Sequence, residues 1–187
     1  MKYLSLLLII TGYLFIKINI VLAQEIAGNS ARLNYLSFVQ KNNTDLKNLA
    51  RAKKAIKKVL ARYNSPLIGE VDNFINACIT YRFDCYLLPS ITGLESTFGQ
   101  YIYPSSYNPF GWGGGYIIFS SWKEAIETVA LGLRENYFNK GADNLKSIGR
   151  IYSESPTWAD RVQYFINQFK LEEEELPLFL GENEVKL

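Results

Sequence analysis

A single carboxylate closes an otherwise apolar and turn-prone stretch of this chain. Residues 86–99 read YLLPSITGLESTFG, and Glu95 is the only acidic residue among them. Burying an acid is costly unless it is paired or hydrogen-bonded, and burial raises its pKa, so that it stays protonated nearer to neutral pH. A general acid needs that property. The position of Glu95 therefore indicates a catalytic acid, with a surface residue at a helix end as the alternative.

The composition excludes several other kinds of catalytic site. The 187 residues contain no histidine, so Ser-His-Asp and Cys-His catalysis are excluded, and a metal site or cofactor is not expected. Any acid–base chemistry has to use Glu, Asp, Tyr, Lys or Cys. The formal net charge of +2 gives no indication of a nucleic-acid partner. We also expect the chain to be a monomer.

The N-terminal segment has the pattern of an export signal. Residues 1–23 combine a basic start with an apolar run, and the small-residue spacing at 21–23 is typical of a signal-peptidase site. We expect cleavage after Ala23. The alternative is an uncleaved membrane anchor through residues 3–22, which would have to accommodate Lys17. Both interpretations place the rest of the chain outside the cytoplasm, in the periplasm, in the cell wall, in the medium or on the outer face of the cytoplasmic membrane.

Charge is distributed unevenly along the remaining residues. Residues 24–64 read as a linker followed by a basic amphipathic helix at 45–63, and residues 171–187 form an acidic C-terminal tail. The part between them, residues 65–170, is nearly balanced in charge. We therefore expect one domain at 65–170, flanked by these two charged segments.

The two cysteines are predicted to form a disulfide. Cys78 and Cys85 would have Cα atoms about 10 Å apart in one continuous helix, which is too far for a bond. A turn at 81–84 would bring them together. An even number of cysteines in an exported chain favours the bridge, and two buried thiols are the alternative.

Helical periodicity predicts a mainly α domain around these residues. Pro and Ser signals start helices near Ser65 and Ser155, Asp84 caps the helix that should end at Gly99, and Ser121 with Glu124 predicts a capping box. A short helix is predicted at 143–148. The two prolines and four glycines between residues 101 and 119 interrupt this pattern, and we predict a loop and a small aromatic β-hairpin there, with a strand at 116–119.

Three short motifs occur in order within this domain. They are Leu94-Glu95-Ser96 with Gly99, then Asn108-Pro109-Phe110-Gly111, then Tyr152 followed by Pro156, Trp158 and Ala159. Together they resemble the bacterial glucosaminidase family of the lysozyme superfamily, over roughly residues 66–170. The resemblance implies a lysozyme-like helical fold and cleavage of peptidoglycan glycan strands at N-acetylglucosamine.

The resemblance also implies roles for individual residues. Glu95 matches the catalytic acid and Tyr152 the tyrosine near the scissile bond. The element that shapes the cleft matches Asn108, Phe110 and Gly111. To these we add Ser96, which would orient the acid or cap the helix, and three aromatic residues that would contact sugar rings, Tyr107, Trp112 and Trp158.

One feature departs from the family pattern and leaves the reaction open. Some members place a second carboxylate near the hairpin, whereas residues 101–119 contain no Asp or Glu. We therefore expect a substrate-assisted hydrolysis, in which the acetamido group of the sugar is the nucleophile. The alternatives are a lytic transglycosylase that uses the same acid, and a wall-glycan-binding module without catalysis.

Overall fold

The computed structural model describes residues 32, 33, 37 and 40–176. The boundary between two compact units falls between Lys47 and Asn48, and the described residues of the first unit are helical. The signal or anchor prediction at 1–23 and most of the predicted acidic tail lie outside the described residues. Within them, no helix combines the length and the apolar character needed to cross a membrane.

The described part of the second unit contains six α-helices. They are α1 (48–62), α2 (Val71–Tyr81), α3 (Leu87–Ser96), α4 (Trp122–Asn136), α5 (Leu145–Tyr152) and α6 (Trp158–Glu174). Two short 3-10 helices, Pro66–Glu70 and Phe138–Lys140, precede α2 and follow α4. The prediction of a mainly α domain is confirmed.

The β-hairpin predicted at 101–119 is wrong, because the described residues contain no strand. The consecutive glycines at 113–115 all have positive φ and coil the chain into turns. The side-chain amide of Asn108 then takes the bonds that a partner strand would have made. It donates to the backbone carbonyls of Trp112 (2.9 Å) and Ile117 (3.1 Å), while its oxygen accepts from the Trp112 N–H (3.0 Å). We call residues 101–119 the aromatic loop.

Several helix ends follow the sequence signals. Ser65 caps the 3-10 helix by accepting from the Leu67 N–H, and Ser121 caps α4 by accepting from the Glu124 N–H. The Glu124 carboxylate bonds to Ser120, one residue before the predicted partner. Helix α3 ends earlier than Gly99, because Thr97 already has a left-handed φ of 49°.

The predicted disulfide is confirmed. Cys78 in α2 is bonded to Cys85, and their Cα atoms are 4.9 Å apart. The turn that joins them begins at Arg82, whose left-handed φ of 53° ends α2. The bond therefore links α2 to the segment that leads into α3.

The hydrophobic core includes α1, which the sequence analysis assigned to a flanking segment, and α6 extends past the predicted domain end at residue 170. Four residues of α1 are fully buried: Ala55, Ile56, Val59 and Leu60. Helix α6 packs extensively on α3 and continues to Glu174. Its buried Phe169 stacks on Tyr86, just before α3. Most residues of α3 are buried, and its last turn, with Glu95, lies near the first turn of α6.

Candidate active site

Glu95 lies in the last turn of α3, with its carboxylate between α6 and the aromatic loop. The indole N–H of Trp158 donates to its Oε1 at 2.8 Å. Its other oxygen, Oε2, faces Gly111 of the loop, where an added Cβ would lie 3.4 Å away. Gly111 has a left-handed φ of 62°, which glycine adopts without the strain that a side chain would add. The carboxylate is therefore oriented by one donor, and its Oε2 accepts no hydrogen bond from the residues that the structure describes.

The surroundings of Glu95 raise the pKa of its carboxyl group. Burial of the group is the largest cause, while the hydrogen bond from Trp158 and the positive charge of Arg161 lower the pKa and offset part of that rise. The residue as a whole is exposed, so solvent or a ligand can reach its carboxyl group. An accessible acid whose proton is held more tightly than usual is suited to proton donation.

Ser96 ties the end of α3 to the aromatic loop. Its hydroxyl donates to the carbonyl of Pro109 at 2.7 Å and accepts from the N–H of Gly99 at 2.8 Å. The side chain is buried, and its described contacts are with backbone atoms. Ser96 thus holds the loop against the helix end, which fixes the distance between Gly111 and Glu95.

Tyr152, at the end of α5, fastens the loop from the other side. Its hydroxyl donates to the carbonyl of Phe110 at 2.7 Å, and its ring stacks on Trp158, with ring centroids 4.9 Å apart. Burial raises the pKa of the phenol well above its usual value, and the nearby carboxylate of Glu95 adds to the rise. The phenol therefore stays protonated and acts as a hydrogen-bond donor.

Aromatic rings line a cavity beside these residues. The cavity has a volume of about 260 Å³ and is lined by Gly111, Trp112, Gly113, Gly114, Tyr137 and Tyr152. The Trp112 ring centroid lies 5.7 Å from that of Tyr152 and 6.2 Å from that of Tyr137. Trp112 also packs closely on Gly132 of α4, where an added Cβ would lie 2.7 Å from the indole. We call this the aromatic cavity.

The structure brings some of the predicted site residues together and separates others. Gly111, Trp112 and Tyr152 line the aromatic cavity. Trp158 stacks on Tyr152 and donates to the acid, Glu95. Asn108 and Phe110 belong to the loop and have buried side chains, and Asn108 bonds to the loop backbone. Tyr107 packs edge-to-face on Trp122, with ring centroids 5.0 Å apart, and has no described contact with the acid.

Two residues near the acid were missed by sequence reasoning. Tyr137 directly follows α4, and its ring lines the aromatic cavity. Arg161 lies three residues after Trp158 on α6, a spacing that puts both on one helix face, and its charge acts on Glu95. That spacing from a predicted site residue was the signal that could have found it.

Neither a metal centre nor a known relative identifies the function of this site. No group of three or more His, Cys, Asp or Glu residues able to hold a metal ion is found within the described ranges. No protein-family model and no curated protein matches this chain. The function is therefore inferred from the arrangement of Glu95, Trp158, Tyr152 and the aromatic cavity.

Proposed function

We propose that this chain is an exported glycoside hydrolase that cleaves peptidoglycan glycan strands at N-acetylglucosamine, with Glu95 as general acid and base. One observation carries the proposal. The carboxyl group of Glu95 has a raised pKa, is held by the Trp158 indole, and lies beside an aromatic cavity. Sugar rings stack on aromatic faces, and an acid in such a setting can protonate a glycosidic oxygen.

The two oxygens of Glu95 are suited to different tasks. Trp158 fixes Oε1, which leaves Oε2, beside Gly111, to carry the proton to the leaving oxygen. When that C–O bond breaks, the carboxylate left behind is stabilised by the indole N–H and by the charge of Arg161, both of which favour the ionised form. The same carboxylate then accepts a proton from the attacking water.

The nucleophile in this proposal comes from the substrate. The aromatic loop supplies no carboxylate, so the acetamido oxygen of the sugar attacks the anomeric carbon and water later opens the resulting ring. Tyr152 contributes a neutral phenol oxygen close to the acid. Its hydroxyl proton is donated to Phe110, which leaves the oxygen lone pairs to face the positive charge that develops on the sugar.

The missing loop carboxylate also favours a second candidate. A lytic transglycosylase needs one acid, which protonates the leaving oxygen and then takes a proton from the hydroxyl of the sugar that closes an anhydro ring. Glu95 fits both roles. A glycan-binding module, in which Glu95 accepts a hydrogen bond from the sugar, is the alternative without catalysis.

The test is the Glu95→Gln variant on purified peptidoglycan, with Glu127→Gln as the matched control. Glu127 is an exposed glutamate of α4 paired with Lys123. We expect Glu95→Gln to lower product release about a hundredfold or more, since the amide cannot donate the proton, while binding to the wall material persists. We expect the control to release products at the wild-type rate.

Mass spectrometry of the released products separates the candidates. Reducing N-acetylglucosamine ends establish the hydrolase, and anhydro-muramic ends establish the transglycosylase. If the wild type releases nothing from several wall types across pH, and Glu95→Gln weakens binding, the chain is a glycan-binding module and catalysis is ruled out.

A further inference from the structure

A second and larger cavity lies where α5 meets α6. Its volume is about 630 Å³, and it is formed by the second half of α5, the connection after that helix and the first turn of α6. Its lining includes Lys146, Gly149, Arg150, Glu154, Ala159 and Asp160. We call it the charged cavity.

Four charged side chains of both signs line this cavity. Lys146 and Arg150 are four residues apart on α5 and therefore share a helix face, while Glu154 and Asp160 supply two negative charges. Within the described part of the chain none of the four forms an ion pair with another protein group. The cavity thus offers two cations and two anions for a ligand.

The lining of the charged cavity differs from that of the aromatic cavity in a way that selects its ligand. The charged cavity has no aromatic residue in its lining, whereas three of the six residues lining the aromatic cavity are Trp or Tyr. An uncharged sugar ring is matched by the aromatic faces. A short peptide that carries carboxylates and a free amine is matched by the mixed charges, through charge-assisted hydrogen bonds.

The charged cavity lies directly behind the side chain that orients the acid. Gly149 lines the cavity, and a Cβ added to it would lie 2.9 Å from Cε3 of Trp158. The pyrrole N–H of the same indole holds Glu95. Ala159, which also lines the cavity, directly follows Trp158 in the chain. The Trp158 indole therefore contacts both the acid and a residue that lines the charged cavity.

We propose that the charged cavity binds the peptide stem of the wall glycan, with Lys146 and Arg150 receiving its carboxylates and Glu154 and Asp160 its amine. This inference rests on the proposed function, because peptidoglycan is the glycan whose sugars carry such peptides. Sugar rings in the aromatic cavity and a stem in the charged cavity would then be held on the two sides of Trp158. The chain would prefer strands that retain their peptides.

The first arm of the test compares two substrates and two double variants. The substrates are intact peptidoglycan and the same glycan strands after an amidase has removed the peptides. Lys146→Gln with Arg150→Gln removes both cations of the cavity. Lys123→Gln with Lys140→Gln makes the same change in net charge on α4 and the 3-10 helix after it, outside the cavity lining.

We expect the cavity variant to lower kcat/KM on intact peptidoglycan about tenfold, mainly through KM, and to leave cleavage of peptide-free strands unchanged. The control variant should match the wild type on both. Equal loss on both substrates, or no loss on either, overturns the inference. If the wild type cleaves neither substrate, the proposed function fails, and the second arm still decides what the cavity binds.

The second arm measures binding without catalysis. A free stem tetrapeptide, which carries two or more carboxylates and an amine, is titrated into the full chain and followed by NMR chemical shifts. We expect shifts at the cavity residues that are lost in Lys146→Gln with Arg150→Gln and kept in Glu95→Gln. Shifts that are absent in the wild type, or that persist in the cavity variant, overturn the inference and leave the role of Glu95 untouched.

Discussion

Each end of the α3–α6 pair holds a glutamate, and the pKa values of these two glutamates are shifted in opposite directions. The helices run antiparallel, so that the last turn of α3 meets the first turn of α6 through Glu95 and Trp158. At the other end the hydroxyl of Tyr86 donates to Glu173 at 2.7 Å, and Glu172 is held by α1. Glu95 is exposed and has a raised pKa, whereas the side chain of Glu172 is only 5% exposed and has a lowered pKa.

The difference shows that partners, more than exposure, set the charge state of these acids. Lys58 donates to Glu172 at 2.7 Å, and the charges of Lys58 and Arg62 act in the same direction, which outweighs burial. Both cations are half exposed, so Glu172 is covered by its partners and remains near the surface. Glu95 has only a neutral indole donor and the charge of Arg161 to offset burial. One arrangement stabilises the charged form, and the other leaves the acid able to donate a proton.

The largest expected effect on stability comes from Glu172→Gln. Removing the charge leaves Lys58 and Arg62 without their shared partner, and we expect the free energy of unfolding at pH 7 to fall by about 1–2 kcal/mol, less than for a fully buried pair because both cations reach solvent. Urea denaturation followed by circular dichroism measures it. Glu174→Gln, an exposed neighbour on α6, is the control and should stay within about 0.5 kcal/mol of wild type.

The stability difference between wild type and Glu172→Gln should depend on pH in a definite direction. The pKa of Glu172 is lowered in the folded state from its ordinary value of 4.5, so its contribution is fully present above that value and is lost as the pH falls through the folded-state pKa. Wild type and Glu172→Gln should therefore converge in stability in strong acid. A difference that persists in strong acid, or that grows as the pH falls below 4.5, would contradict the ion-pair explanation.

A smaller effect, on catalytic activity, is expected from Trp158→Phe at the opposite end of the helix pair. The variant removes the hydrogen bond that lowers the pKa of Glu95, so the pKa rises further and the acid stays protonated to higher pH. The alkaline limb of the pH–rate profile should move to higher pH, while the rate at the optimum falls about tenfold, the scale of one lost orienting hydrogen bond. Trp122→Phe, which alters a contact with Tyr107, is the control. A limb that moves to lower pH would contradict the assignment of Glu95 as the titrating acid.

The smallest expected effect is that of Glu95→Gln on stability. The amide oxygen can still accept from Trp158, and we expect the free energy of unfolding at pH 7 to match wild type within about 0.5 kcal/mol or to exceed it slightly. Because the folded-state pKa of Glu95 is raised, wild type loses stability relative to the variant as the pH rises through that pKa. Urea denaturation at pH 4 and pH 7 checks this. A marked destabilisation at pH 7 would show that Glu95 holds the fold together, as Glu172 does.

Local signals in the sequence predicted much of the fold. Helix caps such as Ser65 and Ser121 act on backbone groups two or three residues away, so their effect follows from spacing alone. Cys78 and Cys85 are seven residues apart, so one turn between them is enough to form the bond. The mainly α class follows from apolar periodicity in the same way. The aromatic loop was mispredicted because the side chain of Asn108 competes with strand pairing for the backbone bonds, and the sequence does not show which of them forms.

The sequence by itself determined the helices, the disulfide and the presence of a lone acid at a helix end. Only the tertiary structure decided that this acid meets Trp158, 63 residues along the chain, and that Glu172 meets Lys58, 114 residues away. The physical reason is that periodicity and caps depend on neighbouring residues, whereas the pKa of each glutamate depends on which distant donor the packing of α1, α3 and α6 brings against it.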